Sequence, residues 1–256
     1  ACTATGVKAD LFTFVDGLSP ERKRDYPFTV ESKAVLPIGT YQDWWMGTIN
    51  DKTRNMVRKA GQKGVEIRFT QFDDKLVEGI REIYNETPIR QGRVFPHYGM
   101  SFEKVREANR KFSETCDFIG AYLGETLIGF SKIVHTGPYS ALMQIISMVK
   151  HRDKAPTNAL LAKAVEICAE RKIPLLMYGM WSRRTLGDFK LHHGFQRMDI
   201  PRYYIPLTMR GRLALKLRLH EPMGEKLVDS LPEPWIRSLA DFRTKWHLAR
   251  NRKRTT

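Results

Sequence analysis

The sequence predicts an α/β (α+β) fold in which a mixed, mostly antiparallel central sheet is flanked by helices. One strand-like segment precedes two consecutive amphipathic helical segments, three strand-like segments then follow with short turns between them, and helices and strands alternate thereafter. The element order is β-α-α-β-β-β-α-β-α-β, preceded by one basic helix. Two helices and a three-strand meander before the first crossover exclude a ferredoxin-like or doubly wound sheet.

The elements before the meander are assigned from helix caps and periodicity. Asn50-Asp51 caps the basic helix, which extends to about Gly61, and residues 65–69 alternate as a half-buried strand. Asp73 or Asp74 caps the next helix, and Ser101 begins the one after it. The apolar positions on one face of these two helices are Leu76, Val77, Ile80, Ile83 and Tyr84, then Phe102, Val105, Ala108 and Phe112.

Turns define the meander and the elements that follow it. Gly124-Glu125 joins strands at 118–123 and 126–134 as a two-residue hairpin turn, and Thr136-Gly137-Pro138 leads into a third strand at 139–149. The remaining elements are a helix at 157–171, a strand at 175–178, a helix at 183–193 and a strand at 195–207.

The composition indicates a basic protein with an anionic partner. Its 256 residues include 43 Lys and Arg against 28 Asp and Glu, which gives a net charge of +15 and a pI near 9.8. Nucleic acid, nucleotide phosphates and anionic lipid all match this imbalance. The cysteines Cys2, Cys116 and Cys168 stand at no metal-ligand spacing, so we expect no bound metal, no disulfide framework and a cytoplasmic location.

The longest nearly apolar run, residues 139–149, is too short and too polar to cross a membrane. Ser140, Gln144 and Ser147 interrupt it. A membrane helix needs roughly 20 apolar residues, so we expect no spanning segment.

The two ends of the chain lie outside the predicted domain at 49–209. Residues 1–48 form an N-terminal arm with a possible strand at 28–36 and the pair Trp44-Trp45, which either packs on the domain or once bridged to a missing first lobe. Residues 210–256 form a tail with twelve Lys and Arg against five Asp and Glu. The segment 235–256 fits an amphipathic helix on the anionic inner face of a membrane, and equally a helix docked on the domain.

Three stretches within residues 49–207 resemble the FemAB-like acyltransferases, a branch of the GNAT superfamily, whose fold has the same element order. They are residues 52–60 with Gly64-Val65-Glu66; Arg90-Gln91-Gly92; and Asn158-Ala159-Leu160-Leu161 followed by Asp188-Phe189-Lys190, Gly194-Phe195 and Tyr203-Tyr204. The resemblance implies transfer of an acyl or aminoacyl group to an amine, from aminoacyl-tRNA, acyl carrier protein or acyl-CoA. Cell-wall members of the family usually have two lobes, and residues 1–48 are too short for a complete one.

In this family the Phe-Lys pair lies near the reacting centre, so the resemblance implies that Phe189 and Lys190 lie there. The ammonium of Lys190 suits a point charge that offsets an oxyanion or holds a phosphate, and Tyr178 suits a proton donor to the leaving group. The alternatives are an exposed lysine, a core phenylalanine and a packed tyrosine. His192-His193 is more typical of a helix C-terminus than of a general base. Asp188 is a candidate to orient Lys190.

The candidate donor-binding loop, residues 150–158, lacks the glycine-rich phosphate loop of acetyl-CoA users. We expect Lys150, Arg152 and Lys154, with Thr157 and Asn158 at a helix N-terminus, to bind a pyrophosphate or a tRNA phosphate. The alternative is a set of solvated cations.

The candidate acceptor-binding residues come from several segments. They are Arg54 and Arg58 on the basic helix, Arg90, Gln91, His97 and Tyr98 in the loop before the third helix, and Tyr204 in the last strand. The alternative for Arg54 and Arg58 is a solvated helix face. Tyr203 and Tyr204 point to opposite sheet faces, so at most one of them lines a cleft.

Two functions remain open from the sequence. One is an N-acyltransferase that uses its carrier as co-substrate and holds no bound cofactor. The other is a catalytically silent GNAT-like module that binds tRNA, other nucleic acid or an anionic membrane surface. The missing glycine loop favours the module, whereas the Phe-Lys pair and the tyrosines favour the enzyme.

Overall fold

The structure, a computed structural model, describes residues 9–90, 92–182 and 185–219, and it divides into two units. The larger unit comprises Ser32–Pro88 and Pro96–Met198. The smaller unit comprises the described parts of Ala1–Glu31, Ile89–Phe95 and Asp199–Thr256. Residues 32–48, which the sequence analysis assigns to the N-terminal arm, therefore belong to the larger unit.

Strands and helices are interspersed along the described chain. The first half holds β1 (Leu11–Val15), β2 (Phe28–Pro37), α1 (Tyr41–Asp43), α2 (Asp51–Gln62), β3 (Val65–Thr70), α3 (Asp74–Asn85), β4 (Ile89–Arg90), β5 (Arg93–Val94) and α4 (Phe102–Arg110). The second half holds β6 (Cys116–Leu123), β7 (Thr126–His135), β8 (Ser140–Ser147), α5 (Pro156–Glu170), β9 (Leu175–Met180), α6 (Thr185–His192), β10 (Gln196–Pro206) and α7 (Met209–Lys216). A π-helical turn spans Trp44–Thr48, and a 3-10 helix spans Val149–Lys154.

The sheet is mostly antiparallel in both units. In the larger unit the strands lie in the order β2-β9-β8-β7-β6-β3, and β8 and β9 are parallel to each other. In the smaller unit β10 lies between β1 and the first residues of β2, and β4 and β5 form a separate hairpin. The predicted fold class and the predicted element order from β3 to β10 are confirmed.

Side-chain caps fix where the helices begin. The side chain of Asn50 accepts a hydrogen bond from the Thr53 N–H, Asp73 accepts from Leu76, and Ser101 accepts from Lys104. The cap of α3 is thus Asp73 and not Asp74. These bonds satisfy N–H groups that have no partner inside the first turn of a helix.

The predicted position of Phe112 on α4 is wrong. The helix ends at Arg110, and Phe112 has a φ of 62° and is 59% exposed. The cause is Lys132, a buried lysine of β7, whose ammonium donates to the carbonyl oxygens of Asn109 and Lys111. These bonds cap the C-terminus of α4 before Phe112 is reached.

Helices cover both faces of β7. A Cβ atom at Gly129 would meet the side chain of Leu160 on α5, whereas the ring of the next residue, Phe130, lies 6.0 Å from the ring of Tyr84 on α3. Successive residues of a strand point to opposite faces, so α5 and α3 pack on opposite sides of the sheet. The core on the α5 side includes Trp44, which is 2% exposed. The Trp pair of the arm therefore packs on the domain.

Three short strands were not predicted. They are β1 and the hairpin strands β4 and β5. The predicted strand at 28–36 is confirmed as β2, and the segment 235–256 lies outside the described residues.

Candidate active site

A gap opens in the sheet between β8 and β9. The two strands pair only where Ser140 faces Leu176 and Ala141 faces Met177. Both continue beyond these pairs, to Ser147 in β8 and to Met180 in β9. The end of β9 stays paired on its other side, to β2, where Met180 lies opposite Lys33. One edge of β9 is therefore held in the sheet while the edge that faces β8 is open.

A β-bulge explains why the strands separate. The consecutive β7 residues Lys132 and Ile133 pair with Gln144 and Leu142 of β8, so Met143 is an extra residue. An extra residue bends its strand and disrupts pairing locally. Pairing of β8 with β9 ends two residues before this bulge.

Lys190 of α6 lies beside the end of β9. Its ammonium donates a 2.7 Å hydrogen bond to the carbonyl oxygen of Met180 and lies 4.6 Å from the centre of the Tyr178 ring. The residue is only 2% exposed, so the alternative of an exposed lysine is wrong. A carbonyl oxygen and an aromatic face make its burial tolerable, and burial lowers the pKa of Lys190 to about 8.

Tyr178 of β9 is a protonated hydroxyl at neutral pH. Burial raises the pKa of Tyr178 to about 12. Its ring packs edge-on against Phe195, with the ring centres 5.8 Å apart. A group with this pKa is suited to donate a proton and not to remove one.

Phe189 on α6 and His193, the residue after the helix, form one packed pair. Their ring centres are 4.2 Å apart, and Nδ1 of His193 lies 2.7 Å from the carbonyl oxygen of Phe189. Since a carbonyl only accepts, Nδ1 carries the proton and Nε2 does not. Nε2 is buried and has no hydrogen-bond partner among the described residues. Burial lowers the pKa of His193 to about 4, so the ring is neutral at pH 7.

The neighbours of this pair are solvent-facing. His192 and Asp188 are both exposed. Within the described ranges there is no ion pair between Asp188 and Lys190, whose ammonium donates a hydrogen bond to the carbonyl oxygen of Met180 instead. The structure thus gives no support to Asp188 as the group that orients Lys190.

The C-terminal end of α6 is held by two side chains from distant segments. The indole Nε1 of Trp44 donates a 3.0 Å hydrogen bond to the carbonyl oxygen of His193. The hydroxyl of Thr53 donates a 3.2 Å hydrogen bond to the carbonyl oxygen of His192. These bonds satisfy carbonyls that have no partner inside the helix, and they fix the position of the turn that carries Lys190.

Backbone N–H groups at the start of the candidate donor loop already bind a carboxylate of the protein. The backbone N–H groups of Val149 and Lys150 donate hydrogen bonds of 2.6 and 2.9 Å to the carboxylate of Glu86, at the end of α3. The side chains of Lys150 and Arg152 are exposed. Side-chain charges, and not these two backbone groups, are therefore what the loop offers to a ligand.

The rest of the predicted donor set lies where the loop enters α5. The helix begins at Pro156, one residue before the predicted start, so Asn158 is in its first turn. The hydroxyl of Thr157 lies 2.8 Å from that of Ser147 at the end of β8. The ammonium of Lys154 is partly buried and lies 3.5 Å from the Asp153 carboxylate.

Arg54 holds the segment before α2 in place. Its guanidinium donates to the carbonyl oxygens of Trp45 and Ile49, at 2.7 and 2.6 Å, and to the carboxylate of Asp51. These bonds use most of the five N–H donors of the side chain. Little of the guanidinium is left for an acceptor substrate. The guanidinium of Arg58, by contrast, is exposed and lies 5.4 Å from the ring centre of Trp45.

The loop before α4 connects to β8 through an aromatic pair. The ring of His97 stacks on Tyr84 at 4.6 Å, and the Tyr84 hydroxyl donates a 3.1 Å hydrogen bond to the side chain of Gln144. Burial lowers the pKa of His97, and the neighbouring Tyr98 is 42% exposed. His97 is thus linked to the strand that borders the gap.

The other predicted acceptor residues lie in the smaller unit. Arg90 lies 4.6 Å from the ring centre of Phe95. Tyr204 is buried, and its hydroxyl lies 3.0 Å from that of Thr29. Gln91 lies outside the described residues.

Several residues at the site were not predicted as functional. They are Met143 at the bulge, Gln144 and Ser147 on β8, Glu86 at the loop, and Trp44 and Thr53 behind α6. Gln144 and Ser147 were visible in the sequence as polar residues inside an apolar strand. The pairing of Glu86 with the loop had no local signal, because it joins segments that are far apart in the chain.

Within the residues that the structure describes, no three or more His, Cys, Asp and Glu side chains are grouped so that they could bind a metal ion. Over the same residues, no helix has both the length and the apolar character that a bilayer crossing requires.

Solved structures share this fold. FemX matches with a TM-score of 0.57 and 13% identity, over 84% of this chain and 69% of its own. L-PGS from Bacillus licheniformis matches with a TM-score of 0.51 and 14% identity, over 76% of this chain and 66% of its own. The C-terminal domain of a putative lysylphosphatidylglycerol synthetase from Agrobacterium fabrum matches with a TM-score of 0.50 and 8% identity, over 74% of this chain and 65% of its own.

The matches define the fold and its extent. The chain shares the fold of FemX and L-PGS, and this agrees with the fold that the sequence predicts. It spans about two thirds of the length of these proteins. No family model matches the sequence, and no curated protein is significantly similar to it.

Proposed function

We propose that the chain is an N-acyltransferase that moves an acyl or aminoacyl group from a carrier to an amine, with the reacting groups bound in the gap between β8 and β9. The observation that carries the proposal is the pair formed by Lys190 and Tyr178 at the open edge of β9. Burial of a lysine costs stability, and Lys190 is almost fully buried against a tyrosine at a break in the sheet. Buried titratable groups with shifted pKa values are typical of catalytic sites.

The proposed reaction gives each group one task. The acceptor amine attacks the carbonyl carbon of the donor, a C–N bond forms, and the C–O bond of an ester or the C–S bond of a thioester breaks. Negative charge develops on the carbonyl oxygen. With a pKa of about 8, Lys190 is mostly protonated at pH 7 and offsets this charge. With a pKa of about 12, Tyr178 keeps a proton that it donates to a leaving alkoxide oxygen, and the proton that the attacking amine gives up restores the tyrosine hydroxyl. A leaving thiolate is a weaker base than this phenolate and departs without that proton.

The donor loop supports a large anionic carrier. The N–H groups of Val149 and Lys150, which a compact pyrophosphate would need, are bonded to Glu86. The exposed side chains of Lys150 and Arg152 remain to neutralise phosphates at longer range. We therefore rank aminoacyl-tRNA and acyl carrier protein above free acyl-CoA as donors.

A transfer assay tests the proposal. Radiolabelled aminoacyl-tRNA, acyl carrier protein and acyl-CoA are each incubated with the protein and a panel of amines, after a thermal-shift screen for the donors that bind. We expect label to move to an amine with one carrier class. If the protein binds a carrier but transfers no label from any donor, the proposal that it is an enzyme is contradicted.

The second candidate is a catalytically silent module that binds tRNA, other nucleic acid or an anionic membrane. The bond between Glu86 and the loop favours it, because the loop is complete without a ligand. It predicts salt-sensitive binding without turnover, and binding that is unchanged when Lys190 is replaced.

A further inference from the structure

Helix α7 of the smaller unit carries large apolar residues on its outer face. Met209, Leu213 and Leu217 recur at a spacing of four residues and are 74%, 56% and 58% exposed. Residues four apart on a helix lie on one stripe, so these side chains form a continuous apolar strip. A helix on the surface of a protein in water has the reverse arrangement, with its apolar face turned inward.

The rotation of α7 about its axis is fixed by its other face. Gly211 is buried, and a Cβ atom there would collide with the carbonyl oxygen of Asp10. The N–H of Leu207 donates a 2.9 Å hydrogen bond to the same carbonyl, and Thr208 caps the helix by accepting from Gly211. At about 100° per residue, Gly211 lies nearly opposite the midpoint of the strip. The helix cannot turn the strip inward without losing this close contact.

Positive charges border the strip. Arg210 lies on one side of it and Arg212 and Lys216 lie on the other, and all three are exposed. From residue 200 to residue 219 the sequence contains no Asp or Glu. The Asp10 carboxylate accepts a hydrogen bond from the Thr208 hydroxyl at the start of the helix, so it lies at one end of the strip and not along it. An apolar strip bordered by cations on both sides fits a lipid bilayer, whose interior is apolar and whose surface is anionic.

We propose that the outer face of α7, formed by Met209, Leu213 and Leu217 with Arg210, Arg212 and Lys216, docks on an anionic lipid bilayer. The apolar side chains enter the boundary between headgroups and acyl chains, while the cationic side chains extend to the lipid phosphates. Charge alone would also suit a nucleic acid, but a phosphate backbone offers nothing to bury three large apolar side chains. This inference does not rest on the proposed acyl transfer.

The test is partition of the full-length protein between buffer and vesicles of phosphatidylcholine, with or without phosphatidylglycerol. We expect binding to the anionic vesicles that weakens with salt. Arg210→Gln/Arg212→Gln/Lys216→Gln lowers the partition coefficient roughly a hundredfold, at about tenfold or somewhat less for each charge. Met209→Ser/Leu213→Ser/Leu217→Ser lowers it at least about tenfold.

Two further full-length variants make the result specific. Val30→Ser/Met46→Ser/Phe69→Ser removes three apolar residues that are 59%, 61% and 55% exposed elsewhere, and should leave partition unchanged. Trp235→Ser/Phe242→Ser/Trp246→Ser tests the segment 235–256. If only this last variant loses binding, the tail is the membrane element and the proposal is overturned.

Three other outcomes overturn the proposal. One is the absence of binding to anionic vesicles at low salt. Another is a dimer, seen by analytical ultracentrifugation, that the α7 serine variant dissociates, because the strip would then be covered by a second copy. The third is loss of RNA binding, with vesicle binding intact, in both α7 variants.

Discussion

The indole N–H of Trp44 donates a 3.0 Å hydrogen bond to the carbonyl oxygen of His193, across 149 residues of chain. The bond links the segment before α2 to the last turn of α6. Because Lys190 lies one turn earlier on α6, Trp44 acts on the candidate site as a positioning residue and not as a catalytic one.

Trp44→Phe should weaken both the fold and the site. It keeps an aromatic ring but leaves the His193 carbonyl without its donor, so we expect the free energy of unfolding to fall by about 1–3 kcal/mol. Transfer should lose kcat while KM stays close to that of the unaltered protein. Urea unfolding and steady-state kinetics measure the two effects. Trp45→Phe, at a half-buried neighbour, is the matched control. Equal kcat losses in both variants would exclude the positioning role.

Lys190→Met should lower transfer by about a hundredfold or more, since it removes the charge that offsets the oxyanion. Because Lys190 is buried, Lys190→Ala should also destabilise the fold, whereas the same substitution at an exposed lysine would not. The matched control is Lys132→Met, at a buried lysine that caps α4, which should lose stability and keep transfer. Turnover by folded Lys190→Met at the level of the unaltered protein contradicts the assignment.

The rate of transfer should decline as the pH rises above about 8, where Lys190 loses its proton. Lys190→Arg keeps its charge at high pH, so any activity that this variant retains should not show the decline. The measurement is kcat/KM from pH 6 to 10. A profile of Lys190→Arg that superimposes on that of the unaltered protein would assign the decline to another group.

Acid should destabilise the protein through His193. The unfolded chain binds a proton at this ring near the ordinary pKa of 6.5, whereas the folded chain binds it only at about 4. Stability from this group is therefore complete above pH 6.5 and is lost as the pH falls to 4, by about 3 kcal/mol. Urea unfolding at successive pH values should show that His193→Gln reduces this loss and that His192→Gln, at an exposed position, does not.

Lys150→Ser/Arg152→Ser/Lys154→Ser should abolish binding of the donor, whose affinity should fall steeply with salt. Free acetyl-CoA should bind poorly to the unaltered protein, because Glu86 occupies the loop N–H groups. Calorimetry at several salt concentrations measures both. Lys63→Ser/Lys104→Ser/Arg110→Ser removes the same charge from exposed positions as a control. Tight, salt-insensitive binding of acetyl-CoA would show that this account of the loop is wrong.

The sequence predicted the elements whose signals are local. Caps such as Asn50 and Ser101 bond within the first helical turn, and periodicity identifies long amphipathic helices such as α3. The strands β4 and β5 have two residues each, too few for a period to show.

The site depended on contacts that no local pattern contains. The sequence drew attention to Lys190 through its Phe neighbour, but its burial results from the carbonyl of Met180 and the ring of Tyr178 on another element. The bulge at Met143 depends on how β8 pairs with β7, which a single strand does not reveal. The polar residues Gln144 and Ser147 were the one local sign of it.

The pairing of β2 with β9 has a consequence for synthesis of the chain. Leu36 of β2 lies opposite Leu176 of β9, so β2 emerges from the ribosome long before its partner strand. Until β9 has been synthesised, the apolar residues of β2 and the side chain of Trp44 lack this strand to pack against. Pairings between distant segments form late because a long loop must close first. The nascent chain therefore exposes an unpaired strand during most of its translation, which is when we expect it to need protection by chaperones.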